Sequence, residues 1–173
     1  MSEAEATPIP AHLAGEFYLW LWWASEQQGG RFDLPDPAGT VHVWVDDRLA
    51  FRLPDDTKIT AVMTGENPST SLEARAALAG GKVIQELRVG IRRDDREFFA
   101  TLKGPSMYVG GLKLPGVLSD TEEEALYCRM FLYEEFTLVV GQLFTRFAEL
   151  RTSDAWRRDT FPAIRAWLLG QEG

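Results

Sequence analysis

Residues Gly15–Glu26, GEFYLWLWWASE, place Trp20, Trp22 and Trp23 within four positions, beside Phe17, Tyr18, Leu19 and Leu21. At helical spacing this stretch is apolar almost all the way round, and such a helix must be covered on more than one side. Trp is large and amphipathic, and finds either a buried neighbour or a binding partner. The segment is therefore a central core helix or a partner surface, and packing is the expected role for its three tryptophans.

The rest of the chain supplies material to cover it. The first helix runs from Ala11 to about Gln28 and stops at Gly29-Gly30. After a Pro/Asp/Gly-rich loop, Thr40–Asp46 and Arg48–Leu53 alternate apolar and polar residues as strands do, and Asp46-Asp47 between them suits a tight hairpin. Thr57–Thr64 reads as a third strand, and Ser71–Ala79 as a short helix ended by Gly80-Gly81. Lys82–Arg93 alternates, turns at Asp94-Asp95 and pairs back through Glu97–Lys103. Tyr108–Leu114 adds a strand bent at Gly110-Gly111.

A capping box at Ser119–Glu122 opens a long helix to about Arg151. Leu126, Met130, Tyr133, Val140, Phe144 and Phe147 line one side of it. Leu132, Phe136, Val139, Leu143 and Leu150 line the next, with Glu123, Glu124, Glu134, Glu135 and Glu149 facing water. A last helix covers about Ser153–Leu169, kinked or restarted at Pro162. The expected fold is α+β, an antiparallel sheet packed by an N-terminal aromatic helix and a long C-terminal helix pair. Residues 11–173 form one domain behind a disordered tail over 1–10.

The longest apolar runs are far too short for a membrane span, and the N-terminus lacks the basic and apolar regions of a secretory signal. Cys128 is the only cysteine, which fits a cytoplasmic protein. A net charge of −8 argues against indiscriminate binding of polyanions. The charge is uneven, however. Between Lys82 and Lys113 seven basic residues meet four acids, a balance of +3 that leaves −11 for the rest. Either a basic face or ordinary alternation of charge on a wet strand face accounts for that.

Chemical motifs are sparse. His12 and His42 fall on different elements and Cys128 has no companion, so no metal site or cofactor is expected. Gly80-Gly81-Lys82-Val83 lacks the earlier Gly and the Ser/Thr of a phosphate loop, and no Ser stands in a nucleophile elbow. The acid pairs Asp46/Asp47, Asp55/Asp56 and Asp94/Asp95 are explained by turns. Asp55 with Glu86 and Arg88 is the one arrangement that could be read as a Mg²⁺-dependent nuclease. Trp44 is a candidate base-stacking residue, sharing a strand face with His42 and lying near Arg48 or Arg52 across the expected hairpin.

Three stretches resemble the RdgC family of recombination-associated DNA-binding proteins. Gly15–Gly30 is similar to the EFLxWLWxxSE…GG stretch of some members. Leu78–Leu118 is similar to the family's succession of an alanine-rich helix, Gly-Lys with a strand, a second strand and a Leu-Lys-hydrophobic ending. Arg129–Leu168 resembles its long Glu-Glu helix leading to Trp156 and Trp167. Together they cover about two-thirds of the chain, though family chains are longer, so the resemblance implies a shortened relative. It further implies a non-enzymatic, sequence-tolerant protein that binds double-stranded DNA as a ring-like homodimer, restrains RecA-type recombination and is associated with the nucleoid. Lys82 and Lys113 match basic positions of the family, and strand alternation adds Arg88, Arg92 and Lys103 to the expected DNA-binding set. No small-molecule substrate or membrane contact is expected. The alternative from a different class is a protein-interaction or oligomerisation module, with the aromatic or long helix partly exposed to a partner or second copy.

Overall fold

Helix α1 spans Ala11–Glu26, and its aromatic face is the middle of the core. Phe17, Tyr18, Trp20, Leu21 and Trp22 are buried. In this computed structural model, which describes residues 11–56, 58–65, 72–117 and 119–171, α1 is covered from three directions. Trp20 packs on Phe32 and Phe147 with ring centres 6.0 and 5.7 Å apart. Trp22 meets Trp167 edge-on at 4.8 Å. Tyr18 donates to the Gly104 carbonyl at 2.7 Å, and burial pushes its hydroxyl well above the ordinary tyrosine range. The all-round apolar segment is thus a core helix. The tail expected over 1–10 and the side chain of His12 lie outside the described residues.

Glu26, the last residue of α1, ties three distant segments. One carboxylate oxygen accepts from the Trp22 indole at 3.1 Å, and the other from the Trp167 indole at 2.9 Å. Arg75 approaches that second oxygen at 3.5 Å and stacks over Trp167 at 4.8 Å. The chain then turns sharply into the sheet at Gly30, whose φ is +77°. A side chain there would collide with the Val43 carbonyl, so the turn requires glycine twice over.

The sheet is antiparallel throughout. Its strands are β1 (Arg31–Asp33), β2 (Thr40–Arg52), β3 (Ile59–Thr64), β4 (Val83–Arg93), β5 (Arg96–Lys103) and β6 (Tyr108–Lys113). The order is β1-β2-β4-β5-β6, with β3 on the same side of β2 as β1. Helix α2, Leu72–Ala79, lies between β3 and β4 in sequence.

The hairpin expected at Asp46-Asp47 does not form. Thr40–Arg52 is one strand, and both of its halves pair with β4. Val45 opposes Val89 and Leu49 opposes Leu87, so three residues of β2 face the single Arg88. The acid pair sits in a bulge rather than a turn. The inner face carries Val43, Val45, Leu49 and Phe51, then Leu87, Val89 and Ile91, then Phe98, Ala100 and Leu102, all buried.

Helix α3, Glu122–Arg151, crosses this face through Leu132, Phe136, Val139, Leu143 and Phe147. It starts two residues later than the capping box predicted. Thr121 is the N-cap, its hydroxyl accepting from the Glu124 amide at 3.3 Å, while Ser119 bonds the Glu124 carboxylate. Two further expectations are corrected. Leu126, Met130 and Tyr133 are exposed, because the first turns of α3 run past the sheet. Glu135 is buried rather than wet, since Arg93 and Arg96 at the β4–β5 turn both donate to its Oε1.

Beyond α3, Pro162 cannot donate a backbone bond. The chain passes through a π turn at Trp156–Thr160 before α4, Phe161–Leu168. Among the described residues no helix is long and apolar enough to cross a membrane.

Candidate nucleic-acid interface

Strand pairing decides which side chains share the outer face of the sheet. On β4 these are Glu86, Arg88, Gly90 and Arg92, opposed on β5 by Lys103, Thr101, Phe99 and Glu97. On β6, Lys113 opposes Phe99 and Tyr108 opposes Lys103. On β2, His42 and Trp44 oppose Arg92 and Gly90. Arg92, Glu97, Tyr108 and Lys113 are exposed, and Trp44, Phe99 and Lys103 half-buried. Helices α1 and α3 gather on the opposite side, as the Phe98–Phe136 contact at 6.1 Å shows for α3.

Trp44 organises the centre of this face. With no hairpin, it does not sit across from Arg48 or Arg52. Its indole lies against Gly90 and meets Phe99 edge-on at 5.8 Å. A Cβ at position 90 would occupy the space of the ring itself. Gly90→Ala is therefore expected to lift Trp44 off the strand and lower stability by about 1–3 kcal/mol, measured by urea unfolding. An unchanged unfolding midpoint would contradict this packing.

Four of the five expected DNA-binding residues share the face. Lys82 does not: it lies in the α2–β4 connection, where its amide closes the end of α2 on Ala77 at 3.1 Å. Arg88 is on the face, but its guanidinium is occupied. Nε lies 3.3 Å from Asp46 and 3.4 Å from Asp47, and Nη1 donates to Thr101 and to the Gly111 carbonyl. Its side chain is only 15% exposed, which leaves little of it for a phosphate. The bulge acids thus serve as a clasp for Arg88.

Arg92, Lys103 and Lys113 have no ion-pair partner among the described residues. Lys103 lies across Gly110, where a Cβ would come within 2.9 Å of its Cε. The available set is three cations, Arg92, Lys103 and Lys113, and three rings, Trp44, Phe99 and Tyr108. Sequence reasoning missed Phe99 and Tyr108. The signal for Phe99 was present, since Glu97, Phe99, Thr101 and Lys103 alternate against Phe98, Ala100 and Leu102.

Acids temper the face. Glu86 is bonded by Arg48 at 2.9 Å, and Glu97 opposes Arg92 in the register. With Asp46 and Asp47 included, five cations meet four acids there, so the sequence's local excess of positive charge does not become a strongly positive groove. No three His, Cys, Asp or Glu side chains gather as metal ligands among the described residues. Asp55 lies in the loop after β2, and Glu86 is held by Arg48.

No protein-family model, curated protein or solved structure matches the chain.

Proposed function

We propose that the protein binds nucleic acid without catalysis, across the outer face of the sheet, in the handling of recombining DNA. One observation carries the reading: three aromatic rings and three cations without an ion-pair partner among the described residues share a sheet face that the helices leave open. Rings spaced over neighbouring strands stack bases irrespective of sequence, and nearby Lys and Arg neutralise the backbone. The resemblance to recombination-associated proteins favours DNA as the polymer and the nucleoid as the place. The balance of rings to free cations favours a single-stranded segment over the duplex that the resemblance implies.

The test is a titration of labelled single-stranded and duplex oligonucleotides at two salt concentrations. Three phosphate contacts give a slope of roughly −2 in log affinity against log salt, or about a 20-fold loss between about 50 and about 200 mM. Trp44→Ala is expected to weaken single-strand binding about 10-fold. Lack of binding to either oligonucleotide at the lower salt would refute the proposal.

A further inference from the structure

A second surface lies at the start of α3. From Glu122 to Phe131 every residue except Ala125 is exposed, so the helix leaves the body as an arm. Leu126, Tyr127, Met130, Phe131 and Tyr133 are each more than half exposed on it. On a helix Leu126, Met130 and Tyr133 form one stripe, and Tyr127 and Phe131 form the stripe beside it. The five side chains make one face. Three rings and two aliphatic chains bared to this extent amount to roughly 500 Å², the order that one partner brings to a standard interface (~800 Å²).

The two ends of the arm carry opposite charge. Its first turn has Glu122, Glu123 and Glu124, with Asp120 just before the capping Thr121. At its base, Arg93 and Arg96 share one oxygen of Glu135, so two guanidiniums meet a single carboxylate. Among the described residues Arg96 bonds through Nη2 only; its Nε is enclosed without a partner, and the rest of the guanidinium is partly open, the side chain being 34% exposed. It lines a groove of about 450 Å³ beside the arm, with Pro115, Val117, Tyr127, Phe131 and Leu132.

We propose that this arm is the contact between two copies of the chain, paired antiparallel about a two-fold axis at Arg129–Met130. Two separate features give the same register. The five apolar residues are centred at that point. A two-fold there also brings Glu124 of one arm level with Glu135, and hence with Arg96, of the other. Glu124 and Glu135 are eleven residues apart, close to three full turns, so they lie on one edge of the helix. The two-fold keeps that edge common to both copies. An acidic first turn then meets the spare arginine of its mate twice, as an isologous interface requires. An unrelated partner would need no such self-complementarity.

Sedimentation equilibrium of the full chain between about 1 and about 100 µM tests this, with a dimer of micromolar or tighter affinity expected. Met130→Glu sets like charges side by side at the axis and is expected to weaken the dimer at least about 100-fold. Because Met130 is exposed, the fold is retained, as circular dichroism would verify. Met130→Cys with Cys128→Ser is expected to cross-link to itself on mild oxidation, whereas Thr137→Cys in the same background does not. A monomer throughout the range, or a dimer unaffected by Met130→Glu, overturns the proposal. The sheet-face reading stands or falls separately.

Discussion

Trp22→Ala is expected to lower the folding stability by about 3–5 kcal/mol. Trp22 is fully buried, and its ring fills the space between α1 and α4 against Trp167. Deleting the indole removes that area from the core and leaves a void that two helix backbones cannot close. It also takes one of the two indole donors from Glu26, whose other oxygen still holds Trp167. Trp22→Phe separates the two effects. It keeps a ring in the space and loses the hydrogen bond, so a smaller cost of about 1–3 kcal/mol is expected. Urea unfolding of both variants checks the order. A loss below about 1 kcal/mol for the alanine variant would mean that the α1–α4 contact contributes little to the fold.

Glu135→Ala is expected to cost about 3 kcal/mol. The carboxylate is 2% exposed, and among the described residues it is the only acid bonding Arg93 and Arg96. Removing it leaves two guanidiniums at the base of α3 with no counter-charge. Their side chains are 22% and 34% exposed, so water recovers part of the loss and the effect falls at the low end for a broken buried pair. Glu135→Gln retains an acceptor for the arginines and should fall between the parent and Glu135→Ala. Amide exchange should rise around Leu132–Val139, where α3 crosses the sheet, while α1 keeps its protection. An alanine variant as stable as the parent would exclude this pair as the anchor of α3.

The fold was largely legible because its elements announce themselves by period. The all-round apolar α1 demanded covering layers, and Glu97–Lys103, expected to pair back on Lys82–Arg93, does so as β5 against β4. What escaped detection depends on partners distant in sequence. Asp46-Asp47 looks like a turn because adjacent acids favour turns. Only the register with β4 reveals a bulge closing on Arg88. Glu135 was placed toward water by its charge, yet arginines about forty positions earlier draw it inside. The capping box was read from Ser119, but the helix is capped by Thr121, whose hydroxyl reaches the Glu124 amide. The candidate site was half legible. Four of its five basic positions share a face, but counting charges along the chain could not show that Arg88 is already held by acids from another strand.

The bond from Trp167 to Glu26 has a consequence for the order in which the chain is made. These residues are 141 positions apart, and α1 leaves the ribosome before α3 and α4, which cover it. Trp20 and Trp22 are thus without Phe147 or Trp167 to cover them until synthesis has passed Trp167. The most apolar segment of the protein is also the one that waits longest for its neighbours. Its passage through the nascent state depends on holding factors or on a fast final collapse, and slowed translation of the last helices would be felt first as aggregation through α1.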